Sequence, residues 1–244
     1  MDNDLVQYKQ LFISDLHLGD VNFTHLDSLI ALLRDNDFEE INLLGDIFDI
    51  WKVPFLQAVK IGQPFLEELW KQSKKGALIV YHFGNHDYEL SFLKSFNWIE
   101  IKETSTIYFN GTSFLVMHGH QWDNFFIHKY EFSRILVKIQ GWFDRVFRTN
   151  IQGWIEKWSF NRRKSIYKTI TAEYKEKAIA HAKSKGFRGI IVGHSHEPEI
   201  DSSGNFVYIN DGDSISRGHS TCIIIDKDIS LYDYAQKKII NTYP

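Results

Sequence analysis

One cysteine, two methionines and four prolines in 244 residues leave few covalent or conformational devices for a fold to rest on. The lone Cys222 excludes an internal disulfide and a thiolate-based zinc site. Its apolar setting reads as a small core side chain. There is no N-terminal signal pattern and no apolar run of membrane-spanning length, so the cytoplasm is the expected home. An excess of one charge is lacking too, since the formal net charge is -3. Internal repeats, low-complexity tracts and linkers are also missing. What remains is an ordinary globular composition, and its length suits a single domain over 1–244.

The charge that is present is unevenly spread. Residues 121–188 hold fifteen Lys and Arg against six Asp and Glu, so the rest of the chain is acidic. Four of the seven tryptophans lie between Trp122 and Trp158. Phe132, Ile135, Leu136, Ile139, Trp142, Phe143, Val146 and Phe147 follow a helical stripe, resumed by Ile151, Trp154, Ile155 and Trp158. A basic stretch with Arg162 and Arg163 comes next. The spacing predicts a helical insertion over about 121–185. Two readings of it stand: a layer packed on the sheet, or an apolar face for a ligand or a membrane surface. Trp51, Trp122, Arg162 and Arg163 are its candidate substrate contacts.

Outside that segment, short apolar runs alternate with helical patterns. Strands are expected at 10–14, 40–44, 77–83, 99–101, 106–109, 112–117, 190–192, 205–209, 221–225 and 229–232, and helices at 24–33 and 55–71. Asn110-Gly111 marks a hairpin. Five of these runs end in polar clusters: Asp15-Leu16-His17, Gly45-Asp46-Ile47-Phe48-Asp49, Gly84-Asn85-His86-Asp87, His118-Gly119-His120 and Gly193-His194-Ser195-His196. If the backbone stays extended at the last cluster, its imidazoles lean the same way, roughly 6–7 Å apart, which suits two neighbouring ions. The turn Asn210-Asp211-Gly212-Asp213 has no position fixed by pattern.

Asp15, His17, Asp46, Asn85, His118, His194 and His196 are more ligands than one ion takes and are natural for two, with Asp46 bridging. Imidazole with oxygen donors suits Mn²⁺, with Fe or Zn²⁺ as alternatives. Asp49 is expected to orient a ligand rather than to bind. Such a centre favours a phosphate substrate and lowers the pKa of a bound water to about 7.

The succession of five clusters resembles the calcineurin-like metallophosphoesterase superfamily. The resemblance implies an α/β fold, a two-sheet β-sandwich flanked by helices with a helical insertion or cap. It assigns Asp15, His17, Asp46 and His196 to one metal, and Asp46, Asn85, His118 and His194 to the other. It makes His86 a transition-state stabiliser and leaving-group acid, oriented by Asp87, and keeps His120 as an outer partner. The strings at 45–51 and 208–213 are most similar to the UDP-2,3-diacylglucosamine hydrolase family. That likeness implies a pyrophosphatase of lipid A synthesis, with a glycolipid substrate and peripheral contact with the inner membrane. In that family Arg, Asp and Trp stand at the positions of His86, His120 and Ser214. A soluble phosphodiesterase or phosphomonoesterase acting on another nucleotide or phosphosugar is the alternative. A non-catalytic scaffold and a nucleic-acid enzyme are less favoured: every ligand position is filled, and most of the chain is acidic.

Overall fold

The fold was obtained as a computed structural model that describes residues 9–20, 23–90, 95–96, 98–122, 151–215 and 220–244, with backbone alone at 89, 95–96 and 151–167. The strands are β1 (Gln10–Ile13), β2 (Glu40–Leu43), β3 (Leu78–His82), β4 (Ser95–Phe96), β5 (Ile99–Lys102), β6 (Ser105–Phe109) and β7 (Thr112–Val116). They continue with β8 (Gly189–Val192), β9 (Glu199–Asp201), β10 (Val207–Asn210), β11 (Thr221–Ile225), β12 (Ile229–Asp233) and β13 (Lys238–Tyr243). The helices are α1 (Leu26–Asp35), α2 (Phe55–Lys74) and α3 (Ile151–Ser184). Most expected elements lie within a residue or two of their predicted bounds. The short or peripheral strands β4, β9 and β13 carry too little apolar alternation to be seen in the sequence.

Two sheets form the centre. One runs β13-β12-β11-β1-β2-β3-β5-β4, the other β6-β7-β8-β10-β9. β1, β2, β3 and β5 are parallel, as are β7, β8 and β10. The period-2 alternation of each strand sorts its side chains into separate cores. Phe12, Ile223 and Ile225 meet Phe114, Val116, Ile191 and Ile209 between the sheets. Leu11, Ile13, Ile41 and Cys222 face the other way, toward Leu29, Leu33, Phe65 and Leu69 of α1 and α2. Leu115, Ile190, Val192 and Tyr208 cover the outer face of the second sheet, where α3 lays down Tyr174, Ala178 and Ala182 at a helical spacing of four. The result is helix, sheet, sheet, helix, as the fold class required. The described part of the 121–185 segment is this packed helix; the 132–147 stripe lies outside the described residues.

Candidate metal centre

Parallel strands point their C-terminal ends the same way, so the residues just beyond β1, β2, β3, β7 and β8 gather on one side of the sandwich. Backbone bonds tie the loops together. His17 N–H donates to Asp46 O (2.9 Å), Asp15 N–H to Gly45 O (3.1 Å) and Gly193 N–H to His118 O (3.1 Å). Seven non-glycine residues among those described have left-handed φ. Two, Asn110 and Lys237, are turn residues; the other five are Asp15, His17, Asp46, His194 and His196. Each such conformation costs about 1–3 kcal/mol and persists where surrounding structure imposes it. Five of the seven expected ligands share it. This backbone also revises the extended reading of 194–196. His194 (φ 64) and His196 (φ 57) diverge, His194 grouping with Asp46 and His118, His196 with Asp15 and His17. In each group one donor atom per residue lies within 4.8 Å of the others, and a third such group joins His17, Asp46 and His86.

The side chains are aimed atom by atom. Asp15 Oδ2 accepts the His194 N–H (2.9 Å), so Oδ1 is left facing His196 Nε2 (3.1 Å) and His17 Nε2 (3.7 Å). Asp46 Oδ1 accepts the His86 N–H (2.8 Å), and Oδ2 stands between His118 Nε2 (3.5 Å) and His17 Nε2 (3.9 Å). Two of the imidazoles are held by their other nitrogens. His118 Nδ1 meets Leu44 O (2.6 Å) and His196 Nδ1 meets Asp213 Oδ2 (3.0 Å), while His17 Nδ1 faces Asp49 Oδ2 at 3.5 Å, an ion-pair distance without a hydrogen bond. A ring whose Nδ1–H is so engaged offers Nε2 as its lone pair, the usual arrangement of a ligating histidine.

These residues fit a pair of cations. Asp15 Oδ1, His17 Nε2, Asn85 Oδ1 and His118 Nε2 are buried without a satisfied hydrogen bond, which costs about 1–3 kcal/mol each unless something else meets them. The local field favours positive charge. Burial alone would lower His17 and His118, yet Asp15, Asp49 and Asp46 raise His17 to about 10, and Asp46, Asp15 and Asp87 raise His118 to about 9. Asp15 and Asp46 are held below the usual carboxylate range against the opposing effect of burial, chiefly by His196 and His118 respectively. Protons on the rings serve where a divalent cation would serve better.

His86 lies at the edge of the centre. Its Nδ1 meets Asp49 Oδ1 (3.0 Å), its face stacks on Trp51 (centroids 4.3 Å apart) and its ring meets that of His17 edge-on (4.6 Å). The carboxylate that orients His86 is therefore Asp49's and not Asp87's. Asp87 instead accepts from Gly84 N–H (2.7 Å), Ile47 N–H (2.9 Å) and Tyr81 O–H (2.5 Å), so it binds the 45–47 and 84–87 loops to each other. Asp87 is turned toward the Gly84 and Ile47 N–H groups, and Asp49 reaches His86 from the adjacent loop. Asp49 is itself backed by Lys52 Nζ (3.7 Å), which pairs with Asp20. Trp51 is buried, with its ring on that of His86. Trp122 packs on Tyr174 and His181 of α3 (5.6 and 5.4 Å). His120 is buried, 5.6 Å from the His118 ring and 6.0 Å from Tyr88. Arg162 and Arg163 fall within α3, and their side chains lie outside the described residues.

Sequence reading missed several partners. Tyr174 O–H reaches Gly193 O (3.2 Å) and His118 O (3.4 Å), joining α3 to two ligand loops. Ser14 Oγ contacts Asp15 Oδ2 and lies 2.8 Å from Asp211 Oδ1. Burial and the Asp15 charge raise Asp211 well above the usual carboxylate range. The only available signal was the density of polar residues at 210–213, which does not say where the turn folds.

Residues 8–198 match the calcineurin-like phosphoesterase family. A search of curated proteins found no match. Among solved structures, Yfce, a phosphoesterase from E. coli, is similar at 13% identity and a TM-score of 0.52, covering 96% of this chain and 97% of that one. Vps29 of Chaetomium thermophilum is similar at 10% identity and a TM-score of 0.51, covering 92% and 87% respectively. At such identities the structural likeness speaks for the fold alone.

Proposed function

The chain belongs to the calcineurin-like phosphoesterase family, a family of metal-dependent phosphoester hydrolases, and from that premise we propose that it cleaves a phosphate diester with two divalent cations. Asp15, His17, Asp46 and His196 would hold one ion and Asp46, Asn85, His118 and His194 the other. The observation that carries this reading is the aim of the donor atoms: the Nε2 atoms of His17, His118 and His196 turn to the Asp15 and Asp46 carboxylates, with Nδ1 of His118 and His196 engaged on the far side. When bound, such a pair of ions supplies an acidified water and positive charge beside the phosphoryl oxygens. Asp46, with Oδ2 between His118 and His17 Nε2, would be shared by both ions. Asp49 holds the Nδ1 side of His86, leaving Nε2 to give a proton to the departing oxygen. An alkoxide needs that proton more than a departing phosphate does, which favours a diester over a pyrophosphate.

The glycolipid pyrophosphatase is the second reading. It draws on the strings at 45–51 and 208–213, and on α3, which packs beside the centre through Tyr174. Contact with the inner membrane surface belongs to this reading alone, and no helix among the described residues is long and apolar enough to cross a membrane. Hydrolysis of bis-p-nitrophenyl phosphate and of UDP-2,3-diacylglucosamine, with Mn²⁺ and with EDTA, separates the two. Mn²⁺-dependent cleavage of the diester alone supports the first reading, and fast release of UMP from the lipid supports the second. Asp46→Ala should abolish either activity while the chain still folds; full activity in that variant overturns the two-ion centre.

A further inference from the structure

We propose that Asp213 is a positioning residue for the cation site of Asp15, His17 and His196, holding His196 so that Nε2 faces Asp15. The proposal rests on the two-ion reading above and goes beyond it to a residue outside the five clusters. His196 stands on a loop at φ 57, where no strand pairing fixes its ring. Its orientation comes from two contacts on opposite sides of the imidazole: Nδ1 to Asp213 Oδ2 (3.0 Å) and Nε2 to Asp15 Oδ1 (3.1 Å).

The backbone that carries this carboxylate is placed independently of His196. Thr221 N–H donates to Asp213 O (3.2 Å), and Ser214 N–H donates to Asp15 O (3.3 Å). Gly212, just before Asp213, has φ +85, and a Cβ there would lie 2.1 Å from Thr221 Oγ1 and 2.8 Å from Pro198 Cβ. That turn is closely packed, and only glycine suits it. The same segment grips the ligand loop, because Asn210 Nδ2 donates to Gly193 O (2.8 Å) and to Ser195 Oγ (3.0 Å). Asp213 is fully buried, so its carboxylate does not swing away into water.

The other histidines show why the effect should be confined to one site. His118 Nδ1 is held by a main-chain carbonyl, Leu44 O, and His17 Nδ1 faces Asp49 at 3.5 Å. Neither depends on Asp213. Its loss should therefore weaken one ion and spare the other, whereas a general structural defect would weaken both.

Calorimetric titration of the metal-free protein with Mn²⁺ tests this, using Asp213→Ala, Asp213→Asn and, as the direct ligand control, His196→Ala. The unaltered chain should bind two ions. Asp213→Ala should weaken one of them about 10–100-fold, the usual effect of removing such a partner, and leave the other unchanged. Asp213→Asn keeps an oxygen to accept the Nδ1–H and should recover most of the loss. If Asp213→Ala fails to fold, Asp213→Leu, of similar volume and unable to accept the Nδ1–H, decides, with a loss confined to one ion as the supporting result. Two unchanged affinities, or two affinities reduced alike, overturn the role of Asp213 while leaving the two-ion reading intact. An unaltered chain that binds fewer than two ions overturns both.

Discussion

Gly84→Ala tests how closely the centre is built. A Cβ at Gly84 would lie 2.0 Å from Asp46 Oδ1 and 2.5 Å from Asp46 N. The side-chain oxygen falls about 1.4 Å short of an ordinary contact, and a rotamer change cannot move the backbone nitrogen. The carboxylate is also anchored through the His86 N–H at 2.8 Å. The 45–46 and 84–86 loops must therefore separate by roughly an ångström, carrying Asp46 Oδ2 away from His17 and His118. A misplacement of about 1 Å costs on the order of 10²-fold in rate, whereas overpacking costs about 1–3 kcal/mol in stability. At about 2–4 °C per kcal/mol for a chain of this size, the melting temperature falls by only several degrees. The assay is Mn²⁺-dependent hydrolysis of bis-p-nitrophenyl phosphate beside thermal unfolding followed by circular dichroism. Gly76→Ala is the control: it has φ +108 and nothing within 4 Å of the added Cβ, so it should lose stability and keep its activity. A Gly84→Ala enzyme within about threefold of the parent in kcat/KM would refute the reasoning, since a 1 Å displacement costs about 10²-fold.

Three further predictions follow from particular contacts. His86→Ala should slow cleavage of an alkyl phosphodiester by about 10²–10⁴-fold and affect p-nitrophenyl esters much less, because nitrophenolate leaves without a proton; equal losses would remove His86 as the acid. His82, buried at the end of β3 beside Ser105, has its pKa lowered by that burial from 6.5 to about 4. The unfolded chain then binds the proton more readily, so stability is complete above about pH 6.5 and should fall by up to about 3 kcal/mol as pH drops toward 4. His82→Gln should flatten that limb of a denaturant-against-pH series, and an unchanged slope would assign the acid sensitivity elsewhere. Tyr174→Phe removes the hydroxyl shared by Gly193 O and His118 O and should cost about 1 kcal/mol in urea unfolding, with activity nearly intact; no loss of stability would mean that the ring alone secures α3.

The strands and the residues at their ends were legible because the signals are local. Alternation in Leu11–Ile13 and Ile190–Val192 follows from the pleat, and Asn110-Gly111 turns because both residues take positive φ. Polar residues immediately after five apolar runs followed from the same pattern, and parallel pairing then brought those ends together. Asp49 faces His17 Nδ1 and meets His86 Nδ1 from the 45–49 loop.

Pairings between distant loops were not legible. Asp87 follows His86 in the chain, yet Asp49 takes the imidazole, because the ring direction depends on how the 84–87 loop packs against the 45–49 loop. His194 and His196 part to different groups because each backbone turns left-handed, a conformation imposed by contacts such as His194 N–H to Asp15 Oδ2 across 179 residues. Asp213 reaches His196 only after β10 and β11 have placed the 210–214 turn beside the ligand loop. The sequence by itself determined the kinds of donor and the strand ends on which they sit, since period and turn chemistry act over a few residues. Which nitrogen faces inward, and which carboxylate holds it there, was decided by tertiary packing alone, because those contacts join segments that are neighbours only in the folded chain.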